Sequence, residues 1–374
     1  MKAVEGDIRR LMGITLLEQS EFAPARVQLE LALVIYRQAG NRLGEGNALN
    51  DLGWLSQREQ NFADALAYLH AARRVHHEIE NRHGISIVLI NMGIVYGMVG
   101  EFSQAYGCYE EVHRLLLELD DQYQRSLVHH SMGVLLANVG EYAAAHTQYL
   151  RSLEIDHELG DRAGMAWTQN NLGLLYNQLG DAKTALAYHK EALRSSKEHG
   201  ARTVQGIAYL GIGQDLYALG NLEAAREAYQ SALVIQRQLG QSIRAIEAQS
   251  GLARTLLALR QRSEALALVN EVLDYLATKT LQGARQPFLV YRDIYRVLVE
   301  NDDSRAPWVL REAYLHLQQQ SDKITDIAWR TSFLQNIQAN HAIMVEYHSL
   351  HSSSPLPADH TSPVTSPPSH KAVD

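Results

Sequence analysis

Seventeen histidines and one cysteine are the residues of this sequence best placed to do chemistry. A metal held on one helix needs two histidines three or four residues apart, so that both rings leave the same face. His76-His77 and His129-His130 are adjacent pairs and point to different faces. His348 and His351 have the spacing, but they stand where the sequence loses its order-forming residues. Structural or solvated histidines are therefore expected, with no metal and no other cofactor. Cys108 falls inside an amphipathic segment and reads as a packed small apolar side chain rather than a nucleophile. As the single cysteine it excludes an intramolecular disulfide and suits a reducing compartment. Gly211-Ile212-Gly213 and Gly44-Glu45-Gly46 lack the remaining spacing and the preceding strand of a phosphate loop. Asp and Glu are abundant, yet nothing in the sequence pairs two of them in a cleft. The expectation is a chain that is not an enzyme.

The composition is that of an ordinary soluble protein. Of the 374 residues, 46% are hydrophobic, and the formal charge is -8 with acidic and basic residues interspersed. Nucleic-acid binding needs clustered Lys and Arg, so no nucleic-acid partner is expected. The start, MKAVEGDIRR, has no apolar signal core, and no run approaches the roughly 20 apolar residues of a membrane span. A cytoplasmic location without membrane contact is the default.

The elements that position these residues repeat every forty residues. Ala25, Ala65, Ala105, Ala145, Ala185, Ala225 and Ala265 form one column. Twelve residues earlier stand Gly13, Gly53, Gly93, Gly133, Gly173 and Gly213, then Ala253. Four residues after the alanines come Leu29, Leu69, Tyr109, Tyr149, His189, Tyr229 and Val269. Small residues let two helices approach closely, and the large ones fill the space between neighbouring pairs. A helix-interior glycine costs about 1 kcal/mol against alanine, so six at one repeat position point to a steric need. Gly100-Glu101, Gly140-Glu141, Gly180-Asp181 and Gly220-Asn221 mark turns in which Gly ends one helix and the next residue caps the following one or favours its positive end. Gly40-Asn41, Gly160-Asp161 and Gly240-Gln241 separate successive repeats. Each helix then has about 17 residues, or roughly 26 Å.

A large residue, then Leu-Gly, Tyr, Ala and an aromatic resembles the tetratricopeptide repeat. Asn170-Asn171-Leu172-Gly173 followed by Tyr176 is similar to the long-helix variant of spindle-orientation adaptors, kinesin light chains and bacterial regulators. The tyrosine column departs from the pattern: only Tyr96 and Tyr176 keep it, with Leu16, Ser56, Leu136, Leu216 and Leu256 elsewhere. The resemblance implies an all-α, right-handed superhelical solenoid of antiparallel helix pairs. Seven repeats cover 1–280, and a degenerate repeat plus a capping helix cover 281–350, as helical segments at 285–300, 305–320 and 324–348. The Ser/Pro/His stretch 351–374 reads as a disordered tail. The first helix has no neighbour in the chain to cover its outer face, on which Leu11, Ile14 and Leu17 stand. Either that face is polar enough or an upstream domain belongs there.

The resemblance also implies which first-helix positions line a concave groove: three before the glycine column, one after it, four to five after it, and six before it. They give Asn50, Trp54, Gln57 and Arg58, then Ile90, Ile94 and Met98, then Leu127, His130, Val134 and Asn138. Further along they give Trp167, Asn170, Leu174, Asn177 and Gln178, then Ile207, Leu210, Gln214 and Tyr217. Amides there can pair with the backbone of a guest chain, while indoles and aliphatics take its side chains. The competing reading places some of these side chains, Leu127 and Ile207 above all, in the core between repeats. Cochaperones of this family grip a terminal carboxylate with a Lys/Asn/Arg clamp. The matching positions here are Arg10, Ile14, Asp51, Leu127 and Ser131, so that clamp is missing. The expected function is a scaffold that binds a peptide or helix of a partner protein. The alternative is the sensor arm of a bacterial signalling protein or transcriptional regulator. The run Ile327–Asn336 favours it, since it resembles the closing helix of such sensor regions.

Overall fold

In the computed structural model of the chain, the described residues are 2–117, 119 and 121–351, with side chains from Val4 onward. The tail expected over 351–374 lies outside them, apart from His351. Among the described residues the only regular secondary structure is helix, and consecutive helices pair. None of these helices is long and apolar enough to cross a membrane. Contacts divide the chain into two compact units, one of residues 1–135 and 147–161, the other of residues 136–146 and 162–374.

The first unit holds α1 (Lys2–Glu18), α2 (Phe22–Ala39), α3 (Arg42–Arg58), α4 (Phe62–Glu78), α5 (Arg82–Met98) and α6 (Phe102–Leu116). It also holds most of α7 (Gln122–Asn138) and α8 (Tyr142–Leu159), whose joining tip belongs to the second unit. The second unit continues with α9 (Arg162–Gln178), α10 (Ala182–Glu198), α11 (Arg202–Ala218), α12 (Leu222–Gln238), α13 (Ser242–Ala258) and α14 (Arg262–Leu276). It ends with α15 (Pro287–Glu300), α16 (Ala306–Lys323), α17 (Ile327–Gln335) and α18 (Gln338–His351).

The small-residue columns are steric, as their spacing suggests. All seven column alanines are fully buried. A Cβ on Gly13 would stand 2.7 Å from Leu29, one on Gly133 2.6 Å from the ring of Tyr149, and one on Gly173 2.6 Å from His189. These partners are the column four residues after the alanines. The glycine of the first helix therefore receives the large side chain of the second.

Helices turn at twenty-residue intervals. Ser20, Gly40, Gln60, Glu80 and Gly100, then Gly140 through Gly240 and Arg260, all have φ between 53° and 83°. This left-handed residue turns the last amides back onto the helix, as where Asn41 N–H donates to the Tyr36 carbonyl at 2.9 Å. Caps follow at Asn41, Asn61, Asn81 and Asp181, whose side chains accept from the backbone amide three residues on. The side chains of Glu101 and Asn221, at the equivalent positions, make no such bond.

Two departures from the expected layout lie past Leu281. The first C-terminal helix starts only at Pro287, so the connector after α14 spans 277–286. The helix expected over 324–348 is two helices, α17 and α18. Asn340 Nδ2 donates to the Phe333 carbonyl at 2.9 Å across the break.

The first helix also differs from its successors at one register position. Ala48, Val88, Val128, Thr168, Ala208 and Ala248 are all fully buried, whereas Ile8 is 55% exposed. Val4 and Leu11 beside it on α1 are exposed too.

Candidate functional site

In the first unit, α3 carries Asn50, Trp54 and Gln57, α5 carries Ile94, and α7 carries His130. All five are half-buried. Asn50 Oδ1 accepts from Asn91 Nδ2 at 2.9 Å, and Gln57 Nε2 reaches Met98 Sδ at 3.2 Å. The His130 ring meets Tyr149 edge-on, with centroids 6.1 Å apart. Arg58 lies 5.9 Å from the centroid of the Phe22 ring. Burial holds its guanidinium below the usual arginine pKa, and among the described residues no carboxylate pairs with it. Elsewhere in this unit Arg10 binds Asp51 at 2.5 Å, at two of the positions where the cochaperone clamp would stand.

In the second unit Asn138, Trp167, Asn177, Gln178 and Tyr217 are half-buried. Asn177 Nδ2 donates to Asp215 Oδ1 at 2.7 Å, and the other oxygen of Asp215 lies 2.6 Å from His189 Nδ1 in a fully buried pair. Gln178 Oε1 accepts from Tyr142 Oη at 3.4 Å. The Tyr217 ring lies 4.1 Å from the guanidinium carbon of Arg254, which in turn binds Asp293 at 3.2 Å and the hydroxyl of Tyr229 at 3.1 Å.

Asn170 and Gln214 depart from the expected open lining, because both are buried. Asn170 is fully buried, with neither Nδ2 nor Oδ1 bonded to the protein, and it offers no surface to a guest chain. Gln214 is covered by the chain itself: its Nε2 donates to Gln286 Oε1 at 2.7 Å. The connector after α14 lies across the first helices of this unit. The backbone amides of Arg285 and Gln286 donate to one oxygen of Glu247 at 2.7 and 2.9 Å. The Arg285 guanidinium bonds Asn171 Oδ1 on α9. Burial raises the Glu247 pKa above the ordinary carboxylate value, and the two amides, Arg244 and Arg285 pull it back.

Asn171, Glu247, Arg285 and Gln286 were not among the residues singled out from sequence. Glu247 had a signal. It stands six before the small-residue column, where Ile87, Leu127, Trp167 and Ile207 are all apolar. The connector had none, because its partners lie 38 to 114 residues away.

A second intramolecular contact joins α17 to the tip between α7 and α8. Ser332 Oγ donates to Glu141 Oε1 at 2.6 Å, and Asn336 Nδ2 donates to the Gly140 carbonyl at 3.2 Å. Gln338 Nε2 reaches the Gln178 carbonyl at 3.1 Å. Of the candidates for chemistry, Cys108 is buried and its thiol is pushed up to about 11 by that burial. Among the described residues, no group of three His, Cys, Asp or Glu side chains is placed to hold a metal ion.

The tetratricopeptide repeat family profile matches residues 124–198 and 205–277. No curated protein matches the chain in sequence. Among solved structures, the chain is similar to a signal-transduction ATPase with numerous domains and a tetratricopeptide repeat sensor, from Pyrococcus horikoshii. That match has 15% identity, covers 92% of this chain and has a TM-score of 0.56. The chain spans half the length of that protein. A Rap protein complexed with competence and sporulation factor matches at 10% identity over 93% of this chain and 99% of its own, with a TM-score of 0.58. NprR in complex with its cognate peptide NprX matches at 11% identity over 92% and 98%, with a TM-score of 0.58. These likenesses are of fold. The profile identifies tetratricopeptide repeats at 124–198 and 205–277, and the solved structures share the fold over nearly the whole chain.

Proposed function

We propose that the chain is an interaction scaffold whose first-helix faces bind a peptide segment of a partner protein. The observation that carries this reading is in the second unit, where such a face already holds a stretch of non-helical chain. Glu247, six before the small-residue column, takes two successive backbone amides of the connector, and Gln214, one after it, takes a side chain. Backbone capture by side chains of a repeat face is how a guest is gripped without strong demands on its sequence. The Rap structure is of a complex with a factor and the NprR structure of a complex with a peptide, which supports the same use of this fold.

In the first unit the corresponding surface is that of Asn50, Trp54, Gln57, Ile94 and His130. Trp54 is the anchor, since a half-buried indole gains the most from being covered. An acidic side chain in the guest would answer Arg58. Peptides selected against the full chain from a random library test this. Those that bind should lose about tenfold or more in affinity to Trp54→Ala, at unchanged melting temperature. Selected peptides that bind both proteins equally would remove this face from the reading.

The second reading is the sensor arm of a longer signalling chain, supported by the fold shared with the repeat sensor of the Pyrococcus horikoshii ATPase. An effector domain encoded in frame with this chain would decide for it.

A further inference from the structure

The connector after α14 is longer than its place in the chain requires. Elsewhere two to five residues join one helix to the next, whereas here ten separate Leu276 from Pro287. Ala277 to Thr280 are all exposed. Leu281 is then buried, a turn closes with Ala284 N–H on the Leu281 carbonyl at 2.9 Å, and Gly283 supplies a φ of 86°. Arg285 and Gln286 come next, held through both backbone and side chains by Asn171, Gln214 and Glu247.

The fit is incomplete. Gln214 Oε1 is buried and lacks a protein partner, although the Nε2 of the same side chain serves Gln286. A buried polar atom of this kind favours any occupant that can bond it. The connector thus satisfies the carboxylate and leaves half of the neighbouring amide unpaired.

We propose that Asn171, Gln214 and Glu247 form a recognition site for a non-helical arginine-glutamine segment of a partner protein, and that residues 281–286 are its built-in competitor. The proposal rests on the reading that first-helix faces take peptides, but it does not depend on the Trp54 surface. The tethered segment competes at millimolar effective concentration or above, so a free peptide meets a site that is mostly filled. A partner that also bonds Gln214 Oε1 displaces the connector, whose residues 277–280 form the hinge.

The test uses the full chain and a fluorescent peptide with the sequence of Leu281–Pro287. The double variant Arg285→Ala, Gln286→Ala should bind it at least about tenfold more tightly than the parent chain. Adding Glu247→Gln should abolish the gain, and a peptide with Ala in place of its Arg should bind neither protein. Equal binding by the parent and the double variant would overturn the proposal, as would equal binding of the two peptides. If the double variant does not fold, amide exchange in the parent chain decides. Millimolar peptide should speed exchange at Arg285 and Gln286 severalfold, and unchanged rates would overturn the proposal. Loss of peptide binding in Trp54→Ala together with no gain in the double variant would sink the competitor and leave the general reading standing. The reverse pattern would remove the Trp54 face and leave the competitor standing.

Discussion

Gly133 and Glu80 show how single residues set this fold. Gly133 has no room for a side chain, because a Cβ there would stand 2.6 Å from the Tyr149 ring. Gly133→Ala should overpack the α7–α8 pair and cost about 1–3 kcal/mol, read from denaturant melts. Glu80 sits at φ 53°, in the left-handed region where glycine stands at most of the corresponding positions. An L-residue there costs roughly 1–2 kcal/mol, and glycine gives back about half of the gain through its looser unfolded state. Glu80→Gly should therefore stabilise the chain by about 0.5–1 kcal/mol, again by denaturant melts. Both positions are legible in the sequence, because a forty-residue period repeats the same steric demand in every block. Asn170 is the counter-example. Its column was placed on an open face, whereas Ile90, Leu210 and Ser250 at the same register are buried as well.

At the scale of elements, α17 and the connector decide how much of the second unit is open. Gly140 and Gly180 have nearly the same backbone, with φ of 82° and 83°. A Cβ on Gly180 meets nothing, whereas one on Gly140 would stand 2.7 Å from the Ser332 carbonyl oxygen on α17. Both alanine variants carry the same left-handed strain. Gly140→Ala should cost about 1 kcal/mol or more beyond Gly180→Ala, since only it pushes against backbone. Equal melts for the two would mean that α17 does not press on this turn. Neither α17 nor the connector was legible as an intramolecular partner. The helical character of α17 could be read from composition, but contacts such as Ser332 with Glu141 span 191 residues and repeat nowhere. The break between α17 and α18 is spanned by a side-chain bond from Asn340 to the Phe333 carbonyl, which no periodicity announces.

For the whole molecule, pH is the clearest lever on stability. Burial lowers the pKa of His76 and of His129 from the ordinary 6.5, with His83 adding to the effect at His76. A base whose folded pKa is depressed contributes no penalty above its unfolded value. As pH falls through 6.5 toward the folded value, the unfolded chain takes up the proton first, and stability is lost. Asp51 and Asp156 act with the opposite sign. Burial raises both, so their contribution is fully present below the unfolded carboxylate pKa and is lost as pH rises through their folded values. The histidine part is isolated by His76→Gln, whose carbonyl can still accept from Asn81 Nδ2, the bond made now at 3.1 Å. Between about pH 7.5 and about pH 5.5 the parent should lose more melting temperature than the variant. Parallel curves would show that His76 already titrates as an exposed histidine.

The exposed Ile8 has a practical meaning for anyone building on this chain. At the same register the later first helices of the repeats carry Ala, Val or Thr, each sealed from water. The register of Val4 is held by Gly44 and Gly84, and that of Leu11 by Gly211 and Gly251, where a Cβ would stand 2.3 to 2.5 Å from the second helix of the preceding hairpin. A forty-residue hairpin fused ahead of α1 would therefore dock only once Val4 and Leu11 are cut back to glycine, with Ile8 kept as the apolar contact.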